Sequence, residues 1–209
     1  MVRWRACNLI NVFERLESPI YTRAMALVDP RPLTGEPVSL ELLNTRWRSG
    51  DSIRDLLAEP DGLALWLAVT GLDERCRADE ATLAALLEAR EALAAATSGE
   101  AGPSAEARAA LNSVLAHGRL RRELTELGPV ETVEMDDPSW LAAWSAADDY
   151  LSLVRRAPDR IRRCAGERCV LHFFDTSQNG RRRWCSMATC GNRDKASRHY
   201  ARTRANVEG

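Results

Sequence analysis

From Glu36 onward the spacing of apolar and polar positions can be read element by element. Val38, Leu40 and Leu42 alternate and favour a short strand, but Leu43 breaks the alternation and keeps a helical turn open. Ser52 is placed to cap a short helix that reaches Leu57 and stops at Pro60. Asp61 then opens a helix over Gly62 to Val69, closed by Gly71. Two longer helices follow. Asp79 to Ala96 carries Leu83, Leu86, Leu87 and Leu93 at helical spacing in an alanine-rich background. Ser104 to Ala116 carries Ala107, Leu111, Val114 and Leu115 and ends at Gly118, with Thr97 to Pro103 as a flexible connector. Arg119 to Met135, with Gly128-Pro129 inside it, predicts a hairpin. Asp137-Pro138 starts another helix, with Trp140, Leu141, Trp144, Leu151 and Val154 toward a core and Pro158 at its end. Trp66, Trp140 and Trp144 sit at helical positions and are read as core. Residues 1–35, broken by Pro19, Pro30, Pro32 and Gly35, form a poorly defined lead-in.

Beyond Pro158 the apolar periodicity stops and cysteine takes over. Cys164, Cys169, Cys185 and Cys190 form two C-x4-C pairs separated by fifteen residues. Two close pairs joined by a hairpin-length insert are what a tetrahedral zinc ion requires: each pair makes a knuckle, and the insert folds back to join them. Val170 to Phe174 is β-prone, Gln178-Asn179-Gly180 signals a turn, and Arg181 to Trp184 is read as the return strand. Helical sequence follows Cys190, so this residue falls at or beside a helix N-terminus, where the dipole favours a thiolate. Knuckle, hairpin and helix together resemble a treble clef. Four thiolates leave no open position for water, so one Zn2+ here is structural. Cys7 and Cys76 have no partner spacing and are read as small apolar residues. The fold class is therefore mainly α with minor β: a helical N-terminal domain and a small four-cysteine zinc finger.

Charge changes the picture. The formal net charge of the 209 residues is −1, which argues against a nucleic-acid partner. It conceals a net of −10 over residues 1–154 and +9 over residues 155–209. A zinc-bound tetrathiolate contributes −2, which lowers the second figure to about +7. The basic residues surround the cysteines. Arg181, Arg182 and Arg183 form a run, while Lys195, Arg198 and Arg202 share one face of the terminal helix, with Asn192 and Arg193 at its start. Clustered guanidinium groups are the footprint of phosphate contact, and Asn or Arg can read base edges. A solvated basic face, or a face docked on the acidic domain, is the alternative. So close to Cys190, Asn192 and Arg193 can instead stabilise the knuckle.

The segment Cys164…Cys169…Phe174-Asp175-Thr176-Ser177…Arg183-Trp184-Cys185-Ser186-Met187…Cys190-Gly191-Asn192-Arg193 strongly resembles the CGNR zinc finger. In that family the finger follows a helical domain called ABATE, and stress-induced transcription regulation is inferred for the pair. Leu40 to Arg46 and Trp66-Leu67…Gly71-Leu72 resemble the start of an ABATE domain, with Glu41 where the commonest form has Asp. The resemblance implies an ABATE-like domain over 36–157 and a CGNR-type finger with a basic terminal helix over 158–209; the lead-in over 1–35 has no counterpart in it.

Asn44 and Arg46, polar beside an apolar run, are candidate ligand contacts in a sensory pocket; the plainer role is to cap a helix or hydrogen-bond a buried turn. The acidic pairs Asp136-Asp137 and Asp148-Asp149 read as caps or solvated residues. No nucleophile–base constellation stands out, so no catalytic residue is assigned and the chain is read as non-enzymatic. No stretch spans a bilayer, and the first residues do not read as a signal peptide, which points to the cytoplasm. The leading reading is a zinc-dependent, DNA-binding transcription regulator whose N-terminal domain is sensory or regulatory. A protein or RNA adaptor and a redox sensor that releases zinc stay open, as do a small-molecule effector and a homodimer.

Overall fold

The computed structural model describes residues 2–5, 28–99 and 102–205, with the side chains of 2–5 and of most positions beyond Ser197 left aside. Cys7 and most of the lead-in lie outside the described residues. The described chain contains six α-helices and seven strands.

The first helix, α1 (Val38–Leu43), settles the ambiguity at Leu43 in favour of helix. Ser39 to Leu43 are all buried, so the segment has no polar face from which a period could be read. Its N-terminus has no local side-chain cap. The cap comes from a distant helix instead: Asp149 accepts from Ser39 N and Oγ at 2.9 and 2.6 Å. Glu41 is buried and paired with the buried Arg31 at 2.6 Å, so its carboxylate serves the fold.

Residues 52–57 differ from the helix predicted for them. Strands β2 (Arg46–Ser49) and β3 (Ser52–Asp55) form a tight antiparallel hairpin around Gly50-Asp51, followed by a 3-10 turn over Leu56–Ala58. Gly50 takes φ +60°, which makes the Gly-Asp dipeptide the turn signal that outweighed Ser52 as a cap. Asp55 closes the hairpin by binding the buried Arg90 guanidinium at 2.7 and 2.8 Å.

The remaining helices form where the spacing places them. They are α2 (Gly62–Thr70) with Gly71 left-handed at its end, α3 (Glu80–Thr97), α4 (Ala105–Ala116) and α5 (Leu141–Arg156). Asp79 and Ser104 cap α3 and α4 by accepting from Thr82 N and Ala107 N. Asp61, by contrast, makes no side-chain cap. Helix α5 packs on α1, α3 and α4 through a stripe of fully buried Ala142, Ala143, Ala146 and Ala147, whose small side chains let helix axes approach closely. Trp66 and Trp144 are buried in this core, and Trp140 stacks on His117 at 3.6 Å.

The predicted hairpin is β4 (Gly118–Thr125) with β5 (Gly128–Met135), and β1 (Val2–Arg5) adds to the other edge of β5. No helix among the described residues is long and apolar enough to cross a membrane.

The finger does not stand apart. Its short hairpin pairs β6 (Ile161–Arg163) with β7 (His172–Phe174), so β7's partner lies upstream. No return strand forms at Arg181 to Trp184. Asp175 is the reason: buried, it accepts from Ser177 N and Oγ with one oxygen and from Arg182 N with the other. The loop satisfies its polar groups internally, and a partner strand is not needed. Leu171, Phe173 and Phe174 are buried in the same continuous core as the helical domain. The terminal helix is α6 (Asn192–Ala205), entered through a π-helical turn, Met187–Gly191.

Candidate metal centre

Two knuckles carry the four cysteines. Cys164 follows β6 directly, and the chain turns back at once, with Cys169 N donating to Gly166 O at 2.9 Å. A Cβ on Gly166 would lie 3.2 Å from Cys169 Cβ, 3.4 Å from Cys190 Sγ and 3.6 Å from Cys164 Sγ. Glycine leaves that space to sulfur. The second knuckle runs from Cys185 into the π-helical turn, where Ser186 Oγ accepts from Thr189 N and Gly191 N donates to Ser186 O.

All four sulfurs lie within 4.8 Å of one another. Cys169 and Cys185 Sγ are 3.8 Å apart, and Cys185 and Cys190 Sγ are 3.7 Å apart. A tetrahedral Zn2+ with Zn–S bonds of about 2.3 Å requires S···S edges of about 3.8 Å. The donor set is all sulfur, which suits zinc and excludes an oxygen-seeking ion such as Mg2+. The four cysteines are thus positioned to hold one zinc ion, which would cross-link the two knuckles.

Hydrogen bonds inside the cluster divide the thiols, holding Cys164 low and pushing Cys169 and Cys185 up. Hydrogen bonds from the Cys169 and Cys185 thiols, helped by the backbone N–H groups of Cys185 and Gly166, hold the Cys164 thiol well below its ordinary range. Cys185 N lies 3.3 Å from Cys164 Sγ. Cys169 is pushed up to about 12, chiefly by its hydrogen bond to Cys164. A thiolate supported by backbone donors is the form a metal takes up.

The candidate nucleic-acid residues separate into two groups. Arg181, Arg183, Arg193 and Lys195 carry the outward charge of the finger, and Arg181, Arg183 and Arg193 are exposed. Arg183 stacks over Trp184 at 5.1 Å, which leaves its charge at the surface. Asn192 is exposed as well, but its Nδ2 donates to Ala188 O at 3.3 Å and so ties the helix to the π-helical turn. The side chains of Arg198 and Arg202 lie outside the described residues. Arg182 is placed differently from its neighbours. Its guanidinium lies over Phe173 at 4.3 Å, donates to the carbonyls of Trp184 and Cys185, and sits 3.7 Å from Glu36. Those contacts turn it inward, away from a phosphate.

The candidate ligand contacts Asn44 and Arg46 are both engaged with other residues of the chain. Asn44 is fully buried; its Oδ1 accepts from His172 N and its Nδ2 donates to His172 O, both at 2.8 Å. Arg46 is exposed and paired with Asp55 and Glu91. Asn44 is a fastener between the two parts of the molecule, the plainer role for such a residue.

Charge in the sequence offered docking of the basic face on the acidic domain as an alternative, but it named none of the residues that make this interface. The outer edge of β7 is covered by side chains of the helical domain: Asn44 takes both backbone groups of His172, and Glu36 accepts from Phe174 N at 2.8 Å. Burial raises the Glu36 carboxyl above its usual range, while that hydrogen bond and Arg182 pull against it. Arg156 of α5 lies over Phe174 at 4.7 Å, and Arg168 of the first knuckle pairs with Asp51 of the β2–β3 hairpin.

Two family models match the chain. Residues 160–203 match the CGNR zinc finger, and residues 36–157 match ABATE, described as "Putative stress-induced transcription regulator". No curated protein matches it.

Proposed function

The chain belongs to the ABATE family and carries a CGNR zinc finger, and from that premise we propose that it is a zinc-dependent regulator of transcription that binds DNA through the finger. The observation that carries this reading is the set of cations Arg181, Arg183, Arg193 and Lys195 around a sulfur cluster built for zinc. A guanidinium on a rigid support keeps the entropy cost of phosphate contact low. The support here is rigid because the finger shares its core with the helical domain. The helical domain over residues 36–157 then acts as the regulatory module, with a stress signal as its input.

Binding of zinc-loaded chain to duplex DNA, followed by anisotropy over a range of salt, tests the proposal. Affinity should fall steeply with salt, with a log–log slope of about −0.9 per phosphate contacted. Arg181→Ala with Arg183→Ala should weaken binding across sequences and make the slope shallower by about one for each phosphate that is no longer neutralised. Zinc chelation should abolish binding. A zinc-loaded chain that ignores duplex DNA at low salt removes the proposal, and the finger then serves as an adaptor.

A further inference from the structure

Between the β2–β3 hairpin and the finger lies a cleft of about 290 Å³, and Cys169, Cys185 and Cys190 all line it. Three cations share its walls: Arg48 from β2, Arg168 from the first knuckle and Arg193 from the first turn of α6. Their own partners are few. Arg48 donates through Nη1 to Asp51 O at 3.1 Å, but its Nε is buried and has no hydrogen-bond partner. Arg168 is paired with the Asp51 carboxylate. Arg193 is exposed and has no ion pair among the described residues.

A buried guanidinium N–H without an acceptor is costly, the more so for a charged group. It is tolerated where an anion stands nearby. The zinc-loaded site is that anion. Zn2+ with four thiolates carries a net −2, and Asp51 adds −1, which three guanidinium groups match. The same balance argues against the cleft as a phosphate site: once zinc is bound, no positive charge is left over to attract a second anion.

We propose that Arg48, a residue of the helical domain, joins Arg168 and Arg193 in offsetting the charge of the zinc tetrathiolate, so that the helical domain helps set how tightly the finger holds its metal. Arg48 is a positioning residue that acts through the thiolates. The proposal depends on the zinc site and shares only Arg193 with the proposed DNA contact, so a zinc dissociation constant measured without DNA tests it separately. Residues that support metal ligands from behind typically change metal affinity about 10–100-fold when replaced.

The test is the zinc dissociation constant of the full chain, measured by competition with a chromophoric chelator at low and high salt. Arg48→Gln should weaken zinc binding about tenfold at low salt, with a smaller deficit in high salt because charge pairing is screened. Arg48→Lys should recover most of the affinity. Arg54→Gln, on the same hairpin but paired with Glu59 at 2.8 Å, should leave it unchanged. If Arg48→Gln does not fold, Arg193→Gln reads the same effect from an exposed position. Wild-type affinity in both the Arg48→Gln and Arg193→Gln chains overturns the proposal. So does an equal, salt-independent loss in Arg48→Gln and Arg48→Lys, which marks a packing defect.

Discussion

Replacing Asn44 with alanine separates a structural fastener from a ligand contact. The side chain is fully buried and spans from the end of α1 to both backbone groups of His172 at 2.8 Å. In the alanine variant one N–H and one C=O of His172 lose their partners beside a fully buried position. Each unmade bond costs about 1–3 kcal/mol, so the loss is about 2–6 kcal/mol. For a chain of this length 1 kcal/mol moves the melting temperature by about 2–4 °C, and a mid-range loss of about 4 kcal/mol lowers it by about 8–16 °C. Calorimetry of zinc-loaded wild type, Asn44→Ala and Arg46→Ala measures this directly. Arg46→Ala is the control: its pairs with Asp55 and Glu91 are half-exposed and together contribute about 1 kcal/mol or less. Hydrogen exchange adds a local readout, because the His172 amide should lose protection in the Asn44 variant before the rest of the core does. A melting temperature within about 1 °C of wild type, with His172 still protected, refutes the reasoning. A residue kept for a ligand is replaced at little cost or with a gain in stability.

Two further perturbations probe the finger and its contact with the helical domain. Gly166→Ala places a Cβ 3.2–3.6 Å from Cys169 Cβ and the sulfurs of Cys164 and Cys190, so the knuckle has to widen; chelator competition should show weaker zinc binding, and unchanged affinity contradicts the close approach. His172 is pushed down to about 4 from 6.5 by burial and by Arg163, so it stays neutral in the fold while the unfolded chain takes up a proton. The unfolded state therefore binds more protons between those values, and stability falls as pH drops from about 6.5 toward 4, by about 2 kcal/mol between pH 7 and 5. His172→Phe removes the titration and the unpartnered Nδ1, and denaturant unfolding at the two pH values should show a smaller difference than in wild type. An identical pH dependence means that another group is responsible.

The elements legible from spacing alone are those whose determinants are local. Asp79 and Ser104 cap α3 and α4 from the next turn, and leucine recurs on one face of α3, so these helices can be placed without knowing the fold. The four-cysteine site is legible for the same reason: spacing within each pair fixes a knuckle whatever lies around it. Tertiary contact decided the rest. Helix α1 is buried on all sides and capped by Asp149 from α5, which erases both the period and the local cap. Strand β3 forms where a helix is predicted because Gly50-Asp51 turns the chain into a hairpin, and Asp55 at its end binds Arg90 of α3. The loop after β7 has the turn that Gln178-Asn179-Gly180 announces, but Asp175 satisfies its backbone and removes the need for a return strand.

By itself, then, the sequence determined a mainly helical body, a zinc-ready cysteine cluster and an uneven division of charge between them. What only the tertiary structure decided is which polar side chains face solvent. Arg182 turns from the basic face into the interface and Asn44 from a supposed pocket to the His172 backbone, while Arg48 reaches the zinc cleft from the helical domain. The physical reason is that a polar side chain binds the strongest unsatisfied partner within reach, and that partner comes from a distant part of the chain.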